Sequence, residues 1–247
     1  MKVLGVIPAR YGSTRFPGKP LAMIGDKTMI HRTYLQAVKS SLDAVVVATD
    51  DVRIFDEVRR FGGEVVMTRT DHRSGTDRCR EALEKVTGDF QAVVNIQGDE
   101  PFIDPALIDQ LVALIKRDDT ELATLVKPIK EVESLQNPNV VKVVFDASGY
   151  ALYFSRHPIP FVRGAVVSDW LQKTSYYHHL GIYAYKAETL RRIASLPQGR
   201  LEVAESLEQL RWLENGLRIR VAVTEPSNSI AIDTPQDLAN LPKALLS

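Results

Sequence analysis

The sequence predicts an α/β protein built on a mostly parallel central sheet. Three observations carry this. Runs that are apolar at nearly every position recur through the first 130 residues: KVLGVI, AVVVATD at 44–50, EVVMT at 64–68 and QAVVNIQ at 91–97. Amphipathic stretches separate these runs. Glycine and proline stand where the amphipathic stretches should stop or start. A strand that is apolar on both of its alternating faces must be covered on both, which is the condition of parallel strands flanked by helices.

Taken in order, the run ending at Ile7 is a first strand, and a basic loop follows it. TMIHRTYLQAVK places Met29, Ile30, Thr33, Tyr34 and Ala37 on one side, the pattern of a helix. After the second strand, Asp51 to Phe61 is helical and Gly62-Gly63 stops it. Residues 75–86 form a further helix between the third and fourth strands. Pro105 suits the first turn of a helix that runs through Lys116. Beyond Leu125 the pattern changes. NVVKVVFD, GYALYFS, HLGIYAYK and IRVAVTE read as strands, interrupted by only two helices. One of these helices is the amphipathic stretch LEVAESLEQLRWLENG, ended by Gly216. The expected organisation is an α/β core over 1–127 and a second half, 128–247. That half extends the sheet with antiparallel or mixed strands into a smaller lobe and closes back on the core.

The chain has 247 residues, enough for a substantial core. Lys plus Arg equals Asp plus Glu at 31 each, so a surface built for polyanions is not expected and nucleic acid is a poor partner. Cys79 is the only cysteine, which excludes an internal disulfide and a cysteine-based metal site and suits a buried structural position. The N-terminal apolar run, about five residues before a proline and an arginine, is too short for a signal peptide. No run approaches the roughly 18 residues of a spanning helix. The expected location is cytoplasmic, without membrane insertion.

Ligands of such sheets bind beyond the carboxyl ends of the strands. Two loops there stand out. PARYGSTRFPGKP, after the first strand, holds Arg10, Arg15 and Lys19 on a backbone stiffened by three prolines. Fixed cations of this kind suit phosphate groups, and glycine lets backbone N–H groups come close to them. The bland alternative is a solvated loop whose cations pair with acids. It is not a Walker A loop, because five residues separate Gly12 from Gly18 and Pro20 stands where Ser or Thr is required. Nor does a G-x-G-x-x-G fingerprint follow the strand, which argues against a dinucleotide oxidoreductase. The second loop is QGDEP, where Asp99 follows Gly98. Either it is a turn, or Asp99 is a hard oxygen ligand for Mg²⁺. In AIDTPQDL, Thr234 and Asp237 read as a helix cap, which leaves Asp233 free to face a ligand. In YYHHLGIYAY, strand phase puts His179 with Tyr183 on a polar face where Gly181 leaves room, while Leu180, Ile182 and Ala184 face a core. His178 has the opposite phase. Glu208 could simply pair with Arg211 at i+3.

IPARYGSTRFPGKPL resembles the N-terminal signature of the 3-deoxy-manno-octulosonate (Kdo) cytidylyltransferases, also called CMP-Kdo synthetases. The likeness continues through VATDD, DHRSGTDR, VVNIQGDEPFI, VVKVVFDASGYALYFSR, HHLGIYAY, LEQLR and DTPQDL, in order along nearly the whole chain. The sialic-acid cytidylyltransferases share only the general plan. The stretch VRGAVVSDWLQ after HPIPF departs from the family's forms. The resemblance implies a Rossmann-like nucleotide-diphospho-sugar transferase fold and a reaction that joins CTP to Kdo with release of pyrophosphate. It implies a Mg²⁺ cofactor on Asp99 and Asp233, and a homodimer formed through the second half. By the same resemblance Ala9, Arg10, Ser13, Arg15, Lys19, Arg73 and Ser74 hold the nucleotide, with Lys19, Asp99 and Asp233 at the chemistry. Gln97, Arg156, His179, Tyr183, Glu208 and Gln209 meet the sugar. An 8-amino-Kdo or a sialic acid is the alternative acceptor. A nucleotide-sensing protein without turnover would keep the basic loop but could dispense with the two aspartates.

Overall fold

A computed structural model of the chain describes residues 1–12, 16–225, 232, 234–242 and 245. Strand β1 (Val3–Ala9) leads through a 3-10 turn, Lys19–Leu21, to the two-residue strands β2 (Met23–Ile24) and β3 (Lys27–Thr28). There follow α1 (Met29–Ala37), β4 (Ala44–Thr49), α2 (Val52–Arg60), β5 (Val65–Met67), α3 (Gly75–Lys85), β6 (Ala92–Asn95) and α4 (Pro105–Ile115). The four long elements expected as strands in this region all form, and so do the four helices. The β2–β3 hairpin, turning at Gly25 with φ 63°, is new. Two residues are too few to show any periodicity.

The remainder holds β7 (Leu122–Pro128), α5 (Val132–Gln136), β8 (Lys142–Phe145), β9 (Ala151–Ser155), α6 (Trp170–Lys173) and β10 (Tyr177–Lys186). After these come α7 (Ala187–Ala194), α8 (Arg200–Glu205), α9 (Gln209–Glu214), β11 (Arg220–Val223) and α10 (Pro235–Ala239). The stretch LEVAESLEQLRWLENG, expected as one helix, is two. Ser206 takes φ 51°, ψ 48° and ends α8 in the left-handed conformation. Periodicity survives such a break, because the apolar stripe resumes within a turn.

The chain divides into two compact units, each discontinuous in sequence, unlike the single cut at residue 127 read from the sequence. The first is Met1–Ala113, Ala184–Ala194 and Asn228–Ser247. Its strands include the order β6–β1–β4–β5, and β1 pairs in parallel with both β4 and β6, as does β4 with β5. Consecutive residues of β1, β4 and β6 are buried, so both faces of these strands are covered. Cys79 is buried on α3, as expected. The second unit is Leu114–Tyr183 and Ser195–Ser227. There β11 pairs in parallel with β7, while β8 is antiparallel to both β9 and β10. The fold is therefore α/β with mixed, mostly parallel strand pairing, as the sequence predicts. Ile129, Leu135, Trp170 and Tyr176 form a core of the second unit. Among the described residues no helix is long and apolar enough to cross a membrane.

Candidate active site

In the first unit the parallel register pairs Val6 with Asn95, so β1 and β6 end at the same edge. β1 delivers Pro8, Ala9 and Arg10 there, and β6 delivers Gln97, Gly98 and Asp99. A cavity of about 280 Å³ opens at this edge. Seven residues expected from the sequence line it: Ala9, Arg10, Lys19, Arg73, Ser74, Gln97 and Asp99. Ser13, Arg15 and Asp233 lie outside the described residues. The two strand ends approach closely because residue 98 is glycine. A methyl group on it would stand 2.9 Å from the Pro8 carbonyl oxygen.

The basic loop is closed at its base by the Gly18 N–H, which donates to the Tyr11 carbonyl at 2.9 Å. Gly18, at φ 72°, then turns the chain into the 3-10 segment that carries Lys19. Lys19 Nζ donates to Asp99 Oδ2 at 2.7 Å, with the two side chains 13% and 34% exposed. The Arg53 guanidinium lies 3.3 Å from the centre of the Tyr11 ring and covers it.

Two lining residues, His72 and Arg78, were not anticipated. The signal was present in DHRSGTDR. A helix starting at Gly75 puts Arg78 one turn beyond Ser74, on the same side. Arg78 is buried, with Nη2 donating to Asp50 Oδ2 at 2.8 Å and Nη1 to the Thr68 hydroxyl, so its charge is matched inside the protein. His72 packs its Nε2 against the carboxylate of Glu81. Ser74 has a structural duty as well. Its hydroxyl accepts from the Asp77 N–H at 3.2 Å, and Asp77 accepts from the Ser74 N–H, a capping box on α3. Lys19 is countered by Asp99 and Arg78 by Asp50. Arg10 and Arg73 are exposed and form no ion pair among the described residues. The cavity thus has two cations available to an anionic ligand.

The Ile232 N–H donates to the Asp99 carbonyl at 3.1 Å, which fixes the chain immediately before residue 233 beside Asp99. Ile232 is held there by a core with Ile24, Met29 and Leu241. Thr234 and Asp237 form the expected capping box on α10. Among the described residues no group of three or more His, Cys, Asp or Glu side chains could hold a metal by itself. A cation that takes one or two carboxylates and completes its shell with phosphate and water fits this donor set, and Mg²⁺ is such a cation.

In the second unit, β10 brings the His179 and Tyr183 rings to 5.2 Å, as strand phase predicts. The face they share is buried rather than open, with His179 7% and Tyr183 6% exposed. Trp212 packs T-shaped with Tyr183, and Phe154 packs against His179. Thr124 Oγ1 donates its only proton to the Ile182 carbonyl at 2.7 Å. It therefore accepts from His179 Nε2 at 3.1 Å, which places the ring proton on Nε2 and leaves Nδ1 as an acceptor. Burial pushes the His179 pKa down to about 3, with His178 adding to the effect, so the ring is neutral. Gln209, at the start of α9, is buried, and its Nε2 has no hydrogen-bond partner among the described residues.

Arg156 and Glu208 carry structural duties. Arg156 Nε donates to the Glu205 carbonyl at 2.7 Å and Nη2 to the Ser206 carbonyl at 3.2 Å, capping the C-terminus of α8. Its Nη1 donates to the Pro138 carbonyl at 3.1 Å, so three of the five guanidinium N–H groups are used. The Glu208–Arg211 pair exists at 3.8 Å, but Arg211 grips Glu202 with both Nη2 at 2.6 Å and Nε at 2.8 Å.

Residues 4–219 match the sequence profile of a family described as Cytidylyltransferase. The 3-deoxy-manno-octulosonate cytidylyltransferase of Bacteroides thetaiotaomicron is 57% identical over 241 residues, 96% of each chain. That of Parabacteroides distasonis is 54% identical, again over 96% of each chain. Among solved structures, CMP:2-keto-3-deoxy-manno-octonic acid synthetase complexed with CTP superposes with a TM-score of 0.89 at 42% identity, covering 97% of this chain and 96% of that one. A Leptospira borgpetersenii cytidylyltransferase, at 20% identity and a TM-score of 0.61, shares the fold. The sheet-edge cavity, whose Arg10 and Arg73 form no ion pair among the described residues, and the near full-length identity agree: the chain belongs to the cytidylyltransferase family, among the 3-deoxy-manno-octulosonate cytidylyltransferases.

Proposed function

We propose that the protein transfers CMP from CTP to Kdo, giving CMP-Kdo and pyrophosphate, as a step of lipopolysaccharide synthesis in the cytoplasm. The observation that carries this is the cavity with two cations, Arg10 and Arg73, that no acid of the protein neutralises among the described residues. A nucleoside triphosphate supplies the charge they lack. In this reading the 2-hydroxyl oxygen of Kdo attacks the α-phosphorus in line. The bond to the β-phosphate breaks, its electron pair leaves with pyrophosphate, and the hydroxyl proton passes to solvent. Arg10 and Lys19, with Ser13 and Arg15 of the same loop, bind the polyphosphate and stabilise the departing pyrophosphate. Holding both reactants in line supplies much of the remaining acceleration.

Asp99 and Asp233 would hold Mg²⁺, and the Ile232–Asp99 backbone bond supports bringing them together. When bound, the ion lowers the pKa of a coordinated hydroxyl and neutralises charge on phosphate oxygens. Arg73, Ser74 and the β1 end at Ala9 hold the rest of the CTP, its α-phosphate included. Gln97, Arg156, His179, Tyr183, Glu208 and Gln209 are the residues read as recognising the sugar. The buried Gln209 Nε2 supports this, because a sugar hydroxyl would satisfy it. A homodimer through the second unit is part of the reading. Leu152, Phe161 and Val203 are 61%, 73% and 61% exposed there, and light scattering on the purified protein tests it.

The deciding experiment is pyrophosphate release with CTP, UTP, ATP or GTP crossed with Kdo, 8-amino-Kdo and a sialic acid, with and without Mg²⁺. Turnover confined to CTP, Kdo and Mg²⁺ is expected. Turnover with another nucleotide or another acid sugar in preference would overturn the assignment.

A further inference from the structure

The segment from Arg69 to Ser74 joins β5 to α3 with no regular structure of its own, yet it carries the exposed Arg73 at the cavity wall. Such a segment would ordinarily cost ordering entropy when a ligand binds. Here it is tied at both ends to one helix. Glu81, 8% exposed on α3, receives the Arg69 N–H at 3.0 Å on Oε2, and the same oxygen meets His72 Nε2. Its Oε1 takes Lys85 Nζ at 2.7 Å. At the far end Ser74 is fixed by its capping box with Asp77. Burial raises the Glu81 carboxyl, but bonds from Lys85, the Arg69 amide and His72 outweigh it and hold the pKa at about 2. The anchor is therefore ionised throughout the working range. Glu81 and His72 have no part in the reaction as described, and the sequence motif DHRSGTDR leaves His72 unexplained.

We propose that Glu81 and His72 are positioning residues for nucleotide binding. The buried carboxylate holds the His72 ring and the Arg69 amide on α3 and so fixes Arg73, between His72 and Ser74, against the nucleotide. This rests on the CTP reading above. Arg78 braces the same segment from within, donating to Thr68 and, at 3.5 Å, to the Arg69 carbonyl.

The test uses the full-length protein, with CTP affinity measured by calorimetry alongside KM, kcat and Tm. A hydrogen bond to a charged group carries about 1.5–3 kcal/mol, so His72→Ala should weaken CTP binding about tenfold or more. The rise in KM for CTP should exceed both the fall in kcat and any change in KM for Kdo. His72→Gln, whose Nε2 can reach Glu81 as the ring does, should recover most of the loss. In an Arg73→Ala background, His72→Ala should weaken CTP binding little further, because the strut acts through Arg73. If His72→Ala fails to fold, Glu81→Gln, which removes the charge and keeps the shape, carries the same expectations. CTP affinity equal to the native in His72→Ala, loss in His72→Gln as large as in His72→Ala, or additivity with Arg73→Ala would each overturn the inference while leaving the CTP reading intact. Failure of the native protein to bind CTP would overturn both.

Discussion

Replacing Asp99 by Asn keeps the shape of the side chain and removes its charge. It also leaves Lys19 without the carboxylate that holds it at 2.7 Å. The lysine is then freer to meet phosphate, so CTP binding should survive better in Asp99→Asn than in Lys19→Ala. The kcat of Asp99→Asn should fall by about 10²-fold or more, the scale lost with a charge-stabilising group. Near-native turnover in Asp99→Asn would remove the metal assignment. His179 poses a different problem, because it is buried and bonded to Thr124. His179→Ala should lower Tm by opening a cavity among Phe154 and Tyr183. If its Nδ1 also serves the sugar, KM for Kdo rises more than KM for CTP, and steady-state kinetics in each substrate separates the two effects. Arg156 is alike in having two duties. Removing its guanidinium uncaps α8, so Arg156→Ala should cost about 1 kcal/mol of stability even if Kdo binding were untouched. An unchanged denaturation midpoint would mean that the three carbonyl contacts contribute nothing.

Gly98 shows how the placement of β1 and β6 sets the site. The parallel pair can end together only if nothing projects from residue 98 toward the Pro8 carbonyl. Backbone cannot swing aside as a side chain can, so Gly98→Ala should destabilise by about 1–3 kcal/mol, seen as a Tm loss of several degrees. CTP affinity should fall with it, since Ala9, Gln97 and Asp99 ride on the two strand ends. A variant with native Tm and native CTP affinity would show that the approach of the strands is not needed. The α8–α9 break illustrates the same dependence. Ser206 adopts a left-handed conformation that a serine does not favour, and Arg156, fifty residues earlier in the chain, accepts the task of capping it.

Stability as a function of pH follows from groups the fold keeps uncharged. Burial, reinforced by the Lys127 and Lys142 charges, pushes the His178 pKa down to about 4, and burial pushes that of His179 down to about 3. Unfolded, each ring titrates near 6.5. Between those limits the unfolded chain binds protons that the folded one refuses, so stability is full above about pH 6.5 and falls as pH drops toward 4. Glu81, depressed from 4.5 to about 2, adds a further loss only below pH 4.5. Denaturant midpoints measured from pH 8 to pH 4.5 should stay level to about pH 6.5 and then decline. A level profile throughout would mean that water reaches both rings.

The strands and helices of the first half were legible because burial on both faces writes itself into nearly every residue of β1, β4 and β6. The basic loop, the aspartate after Gly98 and the Thr234 cap could be read because each lies within a few residues of the element that gives it meaning. The pairings that assemble the site were not legible. Nothing in the sequence near Asp99 announces Lys19 or Ile232, and nothing near Arg78 announces Asp50. Nor did periodicity reveal that the His179 face would be buried or that Arg156 would cap α8. The sequence alone determined the α/β pattern, the family, and the residue types that chemistry on a triphosphate requires. Only the tertiary structure decided which cations are already matched by an acid and which, as Arg10 and Arg73, remain available among the described residues. The reason is that local pattern records how a segment meets water and its own backbone, whereas the charge state of a site depends on partners brought together across tens of residues.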